Sequence, residues 1–543
     1  MSVSTGVLPL CATVMVDWVG DGAFASPVSD VTADVPGDPG LVIDTGRDGA
    51  RALSPPKVPS ASFELRNDHG RYSNERGASP VYQLVRPGTP VVMSASYGTP
   101  RLYRSAALYR SAVAYRGVAA WTLARTRIDA ANQSAELGSQ RVRVSTLGAT
   151  STLVGTAVTV PLQTAIRTDQ AVTMILDAAG WPAARRAISL GDTTLAYWWA
   201  DGRSAWDALV EITTSEGPGC MYEDADGVLH WEGRNYRAVT PRSTTPQAAF
   251  FDQRVGGGVA YRGDRPYRAN RLYRGNVAAL YFTALTYEPG WKTLYARATY
   301  ATKRRALGAL GAVWRYGADI TLSAGQSRTF FARPADPFQN AVAPVVTTDY
   351  VIAAGSATVA LTYTSGILAV ITVTAGGGGC TIVGPAGSPT GGLQLRAQPL
   401  AVVSETVVQS SLPTTGPAAA YGGVQTLDVA GWPEVDPAMA EGVCNAWVVR
   451  YNVPRPQVTI SVVAVDGAHF GEIVQRGVSD RISLRSEATG IAADVWIESR
   501  EIIVSGAGGR HVEAIWKCEK VDTISGFVWD GSTSLWDSAI WGS

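Results

Sequence analysis

The chain has 543 residues, too many for one ordinary hydrophobic core, and its length predicts about three or four domains. Charged residues make up 17% and hydrophobic residues 46%, which excludes a disordered chain. A formal net charge of zero excludes a large basic footprint for nucleic acid and leaves only local arginine clusters. Lysine occurs only at Lys57, Lys292, Lys303, Lys517 and Lys520, so arginine carries nearly all the positive charge. The cysteines Cys11, Cys220, Cys380, Cys444 and Cys518 are odd in number and far apart. They form neither a disulfide framework nor a zinc pattern, and they predict assembly in a reducing cytoplasm. The first residues lack the basic start of a secretion signal, and no apolar run is long enough to predict a membrane segment.

In chain order, strand signals come first. Val14 to Phe24 reads as a strand with a turn at Gly20-Asp21-Gly22, Ser62 to Leu65 as another ending at Asn67 to Gly70, and Pro87-Gly88 separates strands at 82–85 and 91–95. Two more fall in Arg125 to Leu147, so residues 1–165 are expected to form one β-domain with a barrel or sandwich core. A helical rhythm starts at Thr168, with Val172, Ile175, Leu176 and Ala179 on one stripe and a stop at Gly180-Trp181-Pro182. A second helix spans Ser204 to Glu216, and a hairpin follows with its turn at Asp226-Gly227. Residues 166–250 thus read as a small α+β module.

Residues 251–317 hold connecting strands, and 318–413 turn rich in Thr, Val, Ala and Gly, the composition of an inserted β-sandwich. One helix, Pro437 to Tyr451, is closed by Pro454 and Pro456, and the chain then returns to strands, so 414–525 reads as a helix followed by a C-terminal β-domain. Its strands lie at 458–465, 481–485, 494–504 and 511–519. In the last, Val512, Ala514, Trp516 and Cys518 share a face. Residues 526–543 form an aromatic tail. The fold class expected is mainly β with a small α+β module.

Two triplets stand out against this background. Tyr103, Tyr109 and Tyr115 recur at six residues, each followed by Arg, and Tyr261, Tyr267 and Tyr273 repeat the pattern. An even period on an extended backbone points every Tyr one way and every Arg the other. They read as two projecting β-segments whose Tyr faces pack on a partner, or as ordinary surface hairpins born of local duplication. In the tail, Trp529, Trp536 and Trp541 would be costly in water. They either fold back on their own domain or dock on a neighbouring subunit.

The sequence offers no catalytic constellation. There is no GK[ST] phosphate loop, no HExxH and no GxSxG elbow. The histidines His69, His230, His469 and His511 lie in four separate segments, and His230 and His511 read as satisfied or surface groups. The run Gly376 to Gly379 reads as a turn, and Asp224 and Asp226 as a hairpin turn rather than a calcium loop. No cofactor and no metal ligand set is predicted.

A co-linear set of segments carries a family resemblance: VMVDWVGDGAF, DVTADV, FELRNDHGRYS and SPVYQLVRPGTPVVM near the start, then AVTMILDAAGWP, SAWDALVEITTSEG, EDADGVLHWEGR and the late block GVSDRISLRSEATGIAADVWIESREI. This series resembles the tail-tip hub proteins of long-tailed bacteriophages, often labelled minor tail proteins. The resemblance implies a homotrimer in the virion, assembled in the host bacterial cytoplasm, in which two β-barrel-like tube domains per chain let three subunits meet a six-fold tail tube. It implies the distal tail ring protein, the tape measure protein and other tail-tip or receptor-binding proteins as partners, with DNA only passing through the lumen. It implies a mechanical role, closing the tube and opening for ejection. The rival readings are a receptor-binding tail protein gripping a cell-wall glycan, and a wall hydrolase using paired carboxylates.

Overall fold

The computed structural model describes residues 10–38, 40–97, 120–136, 139–252, 280–290, 294–385, 391–412, 425–506 and 511–521. The chain is mainly β. Its first six strands are β1 (Leu10–Val16), β2 (Leu41–Gly46), β3 (Ser60–Arg66), β4 (Pro90–Tyr97), β5 (Ala120–Glu136) and β6 (Ser139–Gly148). They pair antiparallel in the order β1-β4-β5-β6-β3-β2 and curl around alternating inward residues such as Val14, Phe63, Leu65, Val91, Met93, Val142 and Val144. The turn after β1 is built by Asp17, whose carboxylate accepts from the N–H groups of Gly20 and Gly22 at 2.8 Å. Residues 82–85 are not a strand: 81–84 form turns with Gln83 at φ +57°. Bonds from Tyr82 N to Ser79 O and from Leu84 N to Val81 O hold these turns, and Val81 is fully buried beneath them.

The α+β module follows. It contains α1 (Ser151–Gly155), β7 (Ala157–Arg167), α2 (Thr168–Ala178), β8 (Arg186–Ile188), β9 (Thr194–Ser204), α3 (Ala205–Glu216), β10 (Cys220–Glu223), β11 (Leu229–Glu232), α4 (Tyr236–Val239) and α5 (Pro241–Thr244). The helices lie where the apolar spacing predicts them. Ser204 Oγ caps α3 by accepting from Asp207 N, and Gly217 at φ +94° ends it. Val172, Ile175, Leu176, Leu209 and Ile212 meet Trp198 and Trp231 in one core. Each such side chain stabilises the module by about 1.5–3 kcal/mol through its burial.

The chain then adds β12 (Ala248–Asp252), β13 (Leu280–Phe282) and β14 (Ala284–Glu288) before the inserted sandwich. The sandwich comprises β15 (Tyr295–Leu307), β16 (Gly311–Arg315), β17 (Ile320–Leu322), β18 (Ser327–Ala332), β19 (Phe338–Val342), β20 (Val351–Thr364), β21 (Ala369–Val383), β22 (Gln394–Ser411) and β23 (Gln425–Val429). The core of Phe330, Phe338, Ile371, Val373 and Leu395 lies between β16, β19 and the first part of β22 on one side and β17-β21-β18 with β20 on the other, while β15 and β23 extend the first sheet away from it. Gly376 to Gly379 lie inside β21 and not in a turn, because a register shift between Gly355 and Ala357 of β20 absorbs the run as a bulge. The far ends of β15 and β22 leave the sandwich and lay Ala298, Tyr300 and Val408 on the module core.

Helix α6 (Pro437–Tyr451), capped by Asp436, packs on that ribbon. Then come β24 (Gln457–Val463), α7 (Gly467–Gln475), β25 (Arg481–Ser486), β26 (Ile491–Ser505) and β27 (His511–Lys520). Their pairings form a circuit. β26 pairs with β25 and β27, β27 with β24, β24 with β14, β13 with β12, and β12 in parallel with β25. Since β14 follows β13 after one residue, the circuit closes as a barrel. Val512, Ala514, Trp516 and Cys518 all point into it and are fully buried.

Candidate functional site

The feature that organises the molecule is the seam where the N-terminal curl meets the C-terminal barrel. Strand β2 pairs antiparallel with β26 from Leu41 opposite Val504 to Gly46 opposite Ser499, making one thirteen-stranded sheet with a shared core. Gly46 has φ +103°, and a Cβ there would stand 2.5 Å from the Glu498 carbonyl oxygen. The strands approach this closely only because that residue lacks a side chain.

Behind the seam the module is fastened by buried ions. Glu498, fully buried on β26, accepts from both terminal nitrogens of Arg237, with Nη2 at 3.0 Å, and has Arg47 Nε at 3.2 Å. Burial alone would lower the Arg237 pKa, but Glu498 beside it holds the guanidinium well above its ordinary value and fully charged. Arg237 Nε donates to Ser479 Oγ at 3.0 Å, and Arg47 reaches Ala52 O at 2.6 Å and Gly219 O at 2.5 Å. Nearby, Arg242 pairs with Asp480 at 2.9 Å. A second cluster joins α6 to the barrel, where Glu519 accepts from Arg450 at 2.6 Å and from the Tyr451 hydroxyl at 2.7 Å. Burial pushes the Glu519 carboxyl up, yet Arg450 and Arg455 outweigh it and hold it below its ordinary range.

Helix α7 was not expected from the sequence, although Asp466 as N-cap and Phe470, Ile473 and Val474 at helical spacing are a legible signal. It sits beside two strand ends. The Tyr97 ring at the end of β4 stacks on Phe470 with centroids 5.8 Å apart. Tyr281 of β13 lays its ring edge-on to His469 at 4.5 Å, and its N–H donates to His469 Nε2 at 3.2 Å. Tyr97 precedes the segment that carries the first Tyr-Arg triplet, and Tyr281 follows the segment that carries the second. The chain therefore leaves for one and returns from the other beside a single nine-residue helix. Tyr103, Tyr109, Tyr115, Tyr261, Tyr267, Tyr273, Trp529, Trp536 and Trp541 themselves lie outside the described residues.

No group of three or more His, Cys, Asp or Glu among the described residues could hold a metal ion. Asp224 Oδ1 accepts from Asp226 N and Val228 N, which makes the Asp-Gly segment a turn, and Asp224 Oδ2 meets His230 Nε2 at 2.8 Å. Cys220, Cys380, Cys444 and Cys518 are buried free thiols. No described helix is long and apolar enough to cross a membrane.

Solved structures that superpose on this chain include a tail protein from Neisseria meningitidis, at 12% identity and TM-score 0.45 over 94% of this chain and 97% of that one. The chain is similar to phage tail proteins. A 43 kDa prophage tail protein from Shewanella oneidensis matches at 10% identity and TM-score 0.46, covering 94% and 98%. A prophage tail protein from Listeria monocytogenes matches at 7% identity and TM-score 0.41, covering 93% and 94%. No protein-family model and no curated protein matches the chain.

Proposed function

We propose that this chain is a structural component of a bacteriophage tail tip, a trimeric hub that closes the tail tube, links it to host-binding proteins and opens for passage of the tape measure protein and DNA. The observation that carries this reading is the seam. Two curled β units, one N-terminal and one C-terminal, are fused edge to edge into one sheet with one core. Three such chains around an axis present six curled units, the number a six-fold tube requires of a three-fold plug. The co-linear motif series of the sequence supports the same role, and the described residues contain chemistry suited to rigidity: buried ion clusters, fully packed Trp and Tyr side chains, free buried thiols.

In this proposal the Tyr-Arg triplets and the aromatic tail are contacts with neighbouring subunits or with tail-tip partners, among them the distal tail ring protein. The convergence of Tyr97 and Tyr281 on α7 supports a shared destination for the two triplets. The test is a reconstruction of the particle's tail tip refined without imposed symmetry. Three copies around the tube axis beneath a six-fold ring are expected. Copies on peripheral fibres would overturn the hub and favour a receptor-binding protein.

A further inference from the structure

A cavity of about 450 Å³ opens between the module hairpin, the start of β5 and the loop after α7. Trp121 and Asp226 stand exposed at its mouth, and Arg500 of β26, only 6% exposed, lies in its lining. The charged groups around Arg500 are already engaged. Asp480 pairs with Arg242 at 2.9 Å and accepts from Gly477 N at 2.8 Å. Asp224 is held by His230, Arg476 by Glu472 at 2.7 Å, and Asp226 by Arg125 at 3.5 Å. Glu223 accepts from Ala149 N, Thr150 N and Thr150 Oγ1.

Arg500 is different. Its guanidinium donates to the Arg476 carbonyl at 2.8 Å and reaches the Leu123 carbonyl at 3.5 Å, while its buried Nε has no acceptor among the described residues. Of the five N–H donors an arginine carries, three therefore find no protein acceptor there. No carboxylate forms an ion pair with it among the described residues, and burial pushes its pKa down to about 10 against the distant pull of Asp480 and Asp224. A buried cation without a counter-ion is strongly destabilising, so a fold that retains one has a use for it.

We propose that this cavity is a binding site for a carboxylate, seated on Arg500. A carboxylate matches the flat fork of the guanidinium and takes two of its free N–H donors. The acidic neighbours Glu223, Asp224, Asp226 and Asp480 set the charge limit. They oppose a phosphate dianion or a nucleic acid backbone more strongly than a single carboxylate. The carboxylate comes from a small organic acid or from an Asp or Glu side chain of a neighbouring protein. The site goes beyond the hub reading and stands whether or not that reading holds.

The experiment is calorimetric titration of the full chain at constant ionic strength with sodium acetate, N-acetyl-aspartate amide, sodium phosphate and sodium chloride. Acetate and the capped aspartate are expected to bind, with phosphate and chloride at least tenfold weaker. A capped aspartate that binds at least tenfold tighter than acetate identifies a protein-borne carboxylate, and near-equal affinity identifies a small acid. Arg500→Met should abolish binding and raise the melting temperature of the ligand-free chain, since an unpaired buried charge is gone. If Arg500→Met fails to fold, Trp121→Ala at the exposed mouth should still change the affinity for the capped aspartate by at least threefold. Equal response of the native chain to chloride and to both carboxylates overturns the proposal.

Discussion

Glu498→Gln is expected to loosen the module from the sheet. The carboxylate is fully buried and faces two buried guanidinium groups, Arg237 with Nη2 at 3.0 Å and Arg47 with Nε at 3.2 Å. Removing one partner of a buried pair costs about 3–5 kcal/mol, because the remaining charge is left in a poor solvent. Here the lower figure applies. Arg237 keeps Glu232 Oε2 at 3.9 Å, and Arg47 keeps the carbonyls of Ala52, Ser54 and Gly219. A loss of about 3 kcal/mol in a cooperative unit of about 150–250 residues lowers its melting temperature by roughly 6–12 °C. Differential scanning calorimetry of the full chain reads this directly, with limited proteolysis reporting whether 236–247 becomes accessible. The double variant Glu498→Met with Arg237→Met should recover part of the loss, since two apolar side chains in contact do not suffer the desolvation of an orphaned charge. A Glu498→Gln transition within about 1 °C of the native chain, with unchanged proteolysis, would refute the claim that this cluster fastens the module.

Gly46→Ala should destabilise the seam by about 2–4 kcal/mol, combining the left-handed backbone with a Cβ driven against the Glu498 carbonyl, and calorimetry checks it. Glu519 has a folded pKa below its ordinary 4.5, so between those two values the unfolded chain binds the extra proton and stability rises with pH. Its contribution is therefore complete above about pH 4.5 and lost as pH falls through the folded value, and the stability gap between the native chain and Glu519→Gln should narrow over that acid range in urea titrations. Replacing Tyr103, Tyr109 and Tyr115 together by Ser should impair particle assembly; tails of normal number and infectivity would count against a contact role. Deleting residues 526–543 should lower the oligomeric mass in solution, and an unchanged mass by light scattering would remove the docking reading of the tail.

Local order was legible where one short-range signal dominates. The 3.6-residue stripe of α2 and α3, the Asp226-Gly227 turn and the alternation of β27 each decide their own structure within about ten residues. What escaped depends on distant partners. β26 reads as a strand with polar positions at Glu498, Ser499 and Arg500, yet 495–500 are buried on both faces because the module supplies Arg237 from one side and the barrel closes on the other. The same distance hides Arg500 as a candidate site, since its burial comes from hairpin 220–232 and the loop at 474–480 rather than from its neighbours in sequence. The glycine run of β21 has the sequence of a turn and lies in a strand, because its bulge is set by Gly355 across the ladder.

The seam also fixes the order in which this molecule can come into being. Thr45 and Arg500, bonded across it, are 455 residues apart in the chain. At a synthesis speed of about 5–20 residues per second, β2 emerges from the ribosome roughly 20–90 s before the strand that covers it. During that interval the edge of β2 that faces β26 has no native partner, although β3 can pair with the other, and such an edge is a template for wrong pairing. Completion of the sheet, and with it any surface that spans both halves, must await β26. A prematurely terminated product would lack the seam, which makes the late strand a checkpoint on the length of the polypeptide.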